Sequence, residues 1–314
     1  MKAVVIHATG DADVLRLEEV ERPEPGEGEV LIRVLASAVN PVDWKYRRGL
    51  VERKLPAVLG EDVAGTIDVS RADGFAPGND VLGVASSGGY AEYATASATA
   101  IAHMPDGLGY EQAAALPVSG MTAWQGLFDS GRLERGQTVL ITGAAGGVGH
   151  LAVQLARHAG ARVIGTGSPR NRDFVLSLGA DEFVDYTSGD VADAVGGVDL
   201  ALDTVGGSTA ASLVPALREG GTLVTIAYPP ETSPQCHRCW VKPLILRPNV
   251  EQLARIAELV ASGAVRVEIQ QLPLADVQRA HALSEAGHAR GKLVLTVPSQ
   301  RVADGVHPSV SRPS

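Results

Sequence analysis

Residues 138–156 read TVLITGAAGGVGHLAVQLA, a buried apolar strand that turns through glycines into a helix. Within it, Ala144-x-Gly146-x-x-Gly149 is a dinucleotide fingerprint with alanine in place of its first glycine. Such a turn brings backbone N–H groups close to a pyrophosphate, and the N-terminus of the next helix adds partial positive charge. Ala145, Gly146, Gly147 and Val148 are therefore the expected cradle, and Gly149 the point where helix packs on strand. A site for NAD normally carries Asp or Glu at the end of the second strand, to hold the ribose 2′-hydroxyl. No acidic residue occurs between Gly149 and Asp173; the second strand ends instead in GTGSPRNR. The Ser168 hydroxyl and the guanidinium groups of Arg170 and Arg172 are charge-assisted donors suited to a 2′-phosphate. NADPH is the expected cofactor.

A second cluster draws the eye for different reasons. QCHRCW, residues 235–240, holds both cysteines of the chain with His237 between them. A structural zinc would need further ligands, and no other cysteine exists. A thioredoxin-like pair would sit at a helix N-terminus, whereas this one precedes a strand-like run. The expectation is a surface or subunit-edge loop without catalytic metal, with oxidation sensitivity and a dimer contact left open. The eight histidines are scattered, with no HExxH pattern, and there is no GxSxG elbow.

The elements that must position these groups fall into three stretches. KAVVIH, EVLIRVLASAV, VAGTIDV, DVLGVAS and YAEYATA are short strand-like runs separated by Pro/Gly turns. From about Glu111 short strands alternate with helices: QTVLIT, GGVGHLAVQLARHAG, RVIGTG, NRDFVLSLGA, EFVDY, DLALDTV, STAASLVPALREG and GTLVTIA. That alternation predicts a doubly wound parallel sheet. After the helix RPNVEQLARIAELVASG the mixed texture of the opening returns through VRVEIQQLPL, ADVQRAHALSEAG and GKLVLTV. The predicted class is α/β, with a cofactor domain at 113–265 inserted into a β-rich domain built from 1–112 and 266–298. Residues 299–314 form a polar Pro/Ser tail, expected to be disordered.

Bulk properties narrow the class further. The 314 residues carry a formal charge of −9, with 45% hydrophobic and 20% charged residues. This is the composition of an ordinary globular protein and lacks the basic surface of a nucleic-acid binder. No run approaches the ~20 apolar residues of a membrane span. The N-terminus lacks a secretory apolar core, so the cytosol is expected.

The chain resembles the medium-chain dehydrogenase/reductase superfamily, in its zinc-free quinone oxidoreductase branch, which includes zeta-crystallin-like and alkenal/enone reductases. The resemblance covers nearly everything up to Val297. It rests on VNPVDWKYRRG, LPAVLGEDVAG, GGYAEYA, AALPVSGMTAW, GAAGGVGHLAVQLA, SLGADEFVDY, DTVGG and GKLVL, in the family's order. It implies a GroES-like catalytic domain, a Rossmann cofactor domain and a cleft between them. Zinc-dependent members bind metal through an early cysteine and the histidine of a Gly-His-Glu motif. Here that motif reads Gly60-Glu61-Asp62, and no cysteine precedes Cys236. Without a Lewis acid, alcohol oxidation loses its usual support, while hydride transfer from NADPH to a quinone, enone or alkenal stays feasible.

The resemblance also implies roles for single residues. The Asn40 amide would face the nicotinamide and the acceptor oxygen, against the alternative of a plain Asn-Pro turn. Lys45 would hydrogen-bond a developing enolate or quinol oxygen. Tyr46 serves that role if the local turn points it inward, and is otherwise a buried structural tyrosine. A tyrosine common after the following Arg-x-Gly is missing from RRGLVERK. Asp43 and Asp62 read as loop-fixing carboxylates. Thr122 matches a threonine near the nicotinamide, and Tyr186 one lying along the adenosine phosphate. Thr204, Val205 and Gly206 end one strand at the sheet's carboxyl edge, and Ala227 and Tyr228 follow the next. Lys292 either closes over the cofactor phosphate or stays solvated at a strand edge. The expected activity is reduction of a quinone or α,β-unsaturated carbonyl. The alternatives are an NADPH-binding structural or sensor protein with little turnover, and a specialised biosynthetic enoyl reductase. The small-molecule acceptor is the expected partner, with a homodimer through the apolar edge WVKPLILRP.

Overall fold

Runs such as TVLI, RVIGTG and VDLALD have no polar face to give to water, and a strand buried on both sides is their stable state. A computed structural model describes residues 1–226, 236–287 and 289–298. In it these runs become the centre of a six-stranded, wholly parallel sheet. Its order is Glu182–Asp185, Arg162–Gly167, Thr138–Ile141, Val198–Asp203, Leu217–Thr225 and Trp240–Pro243. In sequence terms that is 3-2-1-4-5-6, the order that opens a ligand crevice where strands one and four part. Helix Gly149–His158 is buried through Ala156, and helix Val250–Ala261 buries Leu253, Ile256, Ala257, Leu259 and Val260, so each packs an apolar stripe.

Both chain ends build a second sheet. Strand Glu29–Val39 pairs antiparallel with Asp62–Ser70 along one side. Its other side is shared: Tyr93–Ser97 takes Glu29–Arg33, and the late strand Lys292–Thr296 takes Ala36–Val39. Strands Asp80–Val84, Ile101–His103 and Ile269–Pro273 complete the seven, and a small three-stranded sheet covers one end. One apolar core runs from the parallel sheet past Met121 of helix Pro117–Trp124 to Ala36, Ala38, Ala64, Leu82 and Val294 of the second sheet, and a distinct core lies within the β-rich half.

One local expectation changes and two open points are filled in. STAASLVPALREG is α-helical only over Ser208–Leu213, tightens to a 3-10 turn over Val214–Ala216, and the strand already starts at Leu217. Pro215 cannot donate a helical hydrogen bond, and pairing with Val198–Asp203 claims the residues beyond it. NPVDWKYRR is a helix, Pro41–Arg48, rather than a turn; proline at its first position costs nothing there because that N–H is unpaired anyway. Cys236 and Cys239 are joined to each other by a disulfide, with Cα atoms 5.5 Å apart, immediately before strand Trp240–Pro243. The sensitivity to oxidation that the sequence leaves open takes this form, and neither sulfur remains as a thiolate ligand. Ala227, Tyr228 and the 299–314 tail lie outside the described residues. Among the described residues no helix is long and apolar enough to cross a membrane.

Candidate active site

The glycine turn sits at the carboxyl end of the first parallel strand. The left-handed residue that makes it is Gly143, at φ 55°, one position before the alanine that replaces the fingerprint's first glycine. Ala144 is buried and donates its N–H to the Thr166 carbonyl at 3.0 Å. A Cβ on Gly149 would lie 2.2 Å from the Gly143 carbonyl oxygen, so strand and helix meet there with no room for a side chain. His150, at the first turn of the helix, is neutral because burial lowers its pKa to about 4, and its Nδ1 bonds the Gly146 carbonyl at 2.8 Å. Among the described residues the N–H groups of Gly147 and Val148 have no acceptor. The turn therefore presents unpaired donors at a helix N-terminus beside the sheet's switch point, which fits a dinucleotide pyrophosphate.

The 2′-phosphate candidates gather next to it. Ser168 precedes the short turn Pro169–Asn171 and accepts a hydrogen bond from Asn171 at 3.4 Å. Arg172 lies 5.7 Å over the Phe183 ring, and the described residues pair neither Arg170 nor Arg172 with a carboxylate. Arg290, which was not singled out in the sequence, reaches in from the far end of the chain. It donates to the Arg170 carbonyl at 3.3 Å and to Asn171 Oδ1 at 3.2 Å, stacked 4.8 Å over Phe174. Only its place two residues before Lys292 could have signalled it. Tyr186 is 53% exposed and so is no core tyrosine; Val205 is 61% exposed at the end of its strand. The turn carrying Val205 is tied down by Asp203, which accepts from the N–H groups of Val205 and Gly206 at 3.1 Å.

Opposite the turn, helix Pro41–Arg48 delivers Asn40, Asp43, Lys45 and Tyr46. Asn40 is its N-cap residue, in a capping box with Asp43. Asn40 Nδ2 donates to Asp62 Oδ2 at 2.9 Å, and its Oδ1 accepts from Lys292 Nζ at 2.5 Å. Lys292 is neither solvated nor at a free edge: it is 3% exposed, with Nζ 3.4 Å from Asp62 and 3.3 Å from the Val39 carbonyl. Its stem runs beside Gly147, where an added Cβ would stand 3.0 Å from the lysine Cδ. Gly291 donates to the Ala145 carbonyl at 2.9 Å, so the same short segment stitches the glycine turn to Asn40. Asp62 completes the junction by accepting from Val118 N–H at 2.8 Å. Thr122, one turn along the same helix, is buried.

Asp43 and Asp62 hold more than loops. Asp43 accepts from Asn40 N–H at 2.8 Å, Tyr90 hydroxyl at 2.9 Å and Gly60 N–H at 3.2 Å. Burial, with Glu61 nearby, nonetheless pushes its pKa up to about 7. Tyr90 packs so closely on Gly60 that a Cβ there would lie 2.4 Å from its ring, and Gly60 takes a φ of 90° that aims Glu61 at Tyr46. The Tyr46 hydroxyl donates to Glu61 Oε1 at 3.4 Å, under the Arg53 guanidinium 5.1 Å from the Tyr46 ring. Burial lowers the pKa of half-buried Lys45 and raises those of Tyr46 and Glu61. Glu61 had been read only as the residue replacing a zinc-ligating histidine. The residues here do not suit that metal: no thiolate is present, Asp62 is committed to Asn40 and Val118, and the Lys292 ammonium would repel a dication. Among the described residues no group of three His, Cys, Asp or Glu is disposed to bind a metal.

Asp43 should leave a signature in the pH dependence of stability. Its folded pKa is raised, so the stability it contributes is full below about pH 4 and is lost as pH climbs to about 7, on the order of 4 kcal/mol at ~1.4 kcal/mol per unit. Urea midpoints across that window should decline more steeply for the wild type than for Asp43→Asn. Parallel curves would contradict the assignment.

Comparison with known proteins places these features in a family. Residues 26–106 match the alcohol dehydrogenase GroES-like domain, and residues 178–295 match the domain described as zinc-binding dehydrogenase. A chloroplast envelope quinone oxidoreductase homolog of Arabidopsis thaliana is 36% identical, over 91% of this chain and 95% of its own length. An NADPH-dependent alkenal/one oxidoreductase of the same plant is 33% identical, over 94% of this chain and 79% of its own. The quinone oxidoreductase structure from Coxiella burnetii superposes with a TM-score of 0.90 at 36% identity, covering 95% of this chain and 99% of that one. With its GroES-like and Rossmann halves, the chain belongs to the medium-chain dehydrogenase/reductase family, in the quinone oxidoreductase branch, and is an oxidoreductase.

Proposed function

We propose that the chain is an NADPH-dependent reductase of quinones or α,β-unsaturated carbonyls. The observation that carries this reading is the bridge of Gly291 and Lys292, which binds the pyrophosphate-type turn to Asn40 and so sets helix Pro41–Arg48 against the cofactor crevice. In this reading residues 113–265 hold the cofactor and residues 1–112 with 266–298 receive the acceptor. Ala145, Gly146, Gly147 and Val148 would take the pyrophosphate. Ser168, Arg170 and Arg172, braced by Arg290, would take the 2′-phosphate, with Tyr186 along the adenosine side. Thr122, Val205 and Asn40 would border the nicotinamide, and Ala227 belongs to the same proposal.

Bound NADPH supplies a hydride to the acceptor. The protein's part is to stabilise the charge that then develops on the acceptor oxygen. Lys45 suits this: its ammonium is half-buried and desolvated, which strengthens its pull on an oxyanion. Asn40 has one amide hydrogen left after Asp62, and Lys292 holds its oxygen, so the amide is fixed before any ligand arrives. The related alkenal/one oxidoreductase, NADPH-dependent by name, supports the same class of acceptor. We also place the protein in the cytosol as a homodimer. Among the described residues the outer strand Trp240–Pro243 pairs on one side only, and Trp240 and Ile245 beside it are 66% and 71% exposed.

Turnover of phenanthrenequinone and of a short alkenal, followed by NADPH absorbance, tests the reading; consumption of NADPH with neither acceptor would leave only a cofactor-binding protein. NADPH should be preferred to NADH, and Arg170→Ala with Arg172→Ala should raise the NADPH KM about 10- to 100-fold while barely changing that for NADH. Equal use of both cofactors would remove the 2′-phosphate argument. Lys45→Ala should cut kcat by about 100-fold, and an unchanged kcat would exclude Lys45 from the chemistry. Light scattering should give a mass twice that of the 32.6 kDa chain, and a monomer mass would rule out the dimer.

A further inference from the structure

Reduction of an enone or quinone needs a proton as well as a hydride, and the likeliest-looking phenol is poorly placed to lose one. Tyr46 is half-buried beside a carboxyl group, which raises its pKa and makes it a weaker acid. Glu61 responds to the same surroundings in the opposite functional sense. Burial and Asp62 raise its pKa, so its carboxyl holds a proton more tightly than a solvated glutamate does. It is only partly buried, so solvent can reload it.

We propose that Glu61 is the catalytic acid of the site and that the Tyr46 hydroxyl, its hydrogen-bonded neighbour, hands its proton to the acceptor oxygen. The proposal rests on the reading of the chain as a quinone or enone reductase. The step balances as follows. A hydride delivered by bound NADPH would form a C–H bond at the β-carbon of an enone, and the C=C π pair would shift to leave an enolate oxygen. That oxygen takes the Tyr46 hydroxyl proton while Tyr46 takes the proton of the Glu61 carboxyl, so the phenol is never a free phenolate. The enol relaxes to the saturated ketone, NADP⁺ is released, and water reprotonates Glu61. With a quinone the same proton completes the hydroquinone. Protonation of Glu61 reverses the donor sense of the 3.4 Å hydrogen bond, freeing the Tyr46 hydrogen to point at the acceptor. The carboxylate left behind has Arg53 and Lys292 to offset its charge.

The groups that face Glu61 are Tyr46 and Asp43 from the helix, Arg53 from the following loop, Asp62 from its own strand, Tyr90 behind Gly60, and Lys292 from the late strand. A catalytic acid is active while protonated, so turnover should fall as pH rises through the Glu61 pKa. Glu61→Gln should lose about 100-fold in kcat with an alkenal, should lose that alkaline limb, and should keep NADPH affinity measured by fluorescence. Infrared titration of the cofactor-free protein should show separate neutral carboxyl bands, one lost in Glu61→Gln and the other lost in Asp43→Asn. Tyr46→Phe should lose kcat to a similar extent, which preserves the test if the Gln variant does not fold. An active wild type with Glu61→Gln or Tyr46→Phe at wild-type kcat would overturn the acid assignment alone. A wild type that binds NADPH but reduces no acceptor would overturn both this and the reading beneath it.

Discussion

The structure turns on one buried ammonium. Lys292 has left water to sit among Asn40, Asp62 and the Val39 carbonyl, and taking a charge out of water costs several kcal/mol unless partners replace its hydration. Asp62 offsets the charge, and the remaining donors and acceptors are used by Asn40 and by Val118. Each of these residues comes from a different element: a strand end, a helix cap, the next strand, the connecting helix and the last strand. The site is therefore positioned by electrostatics that cannot be satisfied unless all five elements are in place.

That constraint adds a polar tie to two folds that already share an apolar core. The Rossmann half offers a crevice at its switch point, and the β-rich half offers helix Pro41–Arg48. The Gly291–Lys292 segment and helix Pro117–Trp124 carry the polar contacts from one to the other. The second carboxyl layer, Asp43 with Tyr90 and Glu61 with Tyr46, grows outward from the first. Gly60 and Asp43 link the two, since Gly60 can approach Tyr90 only without a side chain and donates to Asp43.

Much of the fold was legible because its signals are local. The strand–turn–helix at residues 138–156, the alternation of short strands and helices, and the return of mixed texture at the end need no distant partner to be recognised. The glycine turn is legible in kind, while the left-handed residue that makes it, Gly143, shows only in φ. Site geometry was less legible for the opposite reason. Lys292 looks like any strand-edge lysine until Asn40, 252 residues earlier, is set beside it. Glu61 was seen as a missing histidine, since its meaning depends on Tyr46 and Asp62 in three dimensions. Pro215 was present in the sequence, but a helical reading of STAASLVPALREG ignored the strand pairing that competes for its end.

The split pairing of strand Glu29–Val39 carries a consequence for how the protein is made. Its Ala36–Val39 half stays without that partner until Lys292–Thr296 has been synthesised. At ~5–20 residues per second, the ribosome leaves that edge open for more than about ten seconds while the entire parallel sheet is translated. The cofactor half can fold on the growing chain, but the catalytic half is finished last, by the same strand that brings in Lys292. Closure of the β-rich sheet and arrival of Lys292 at Asn40 are one event.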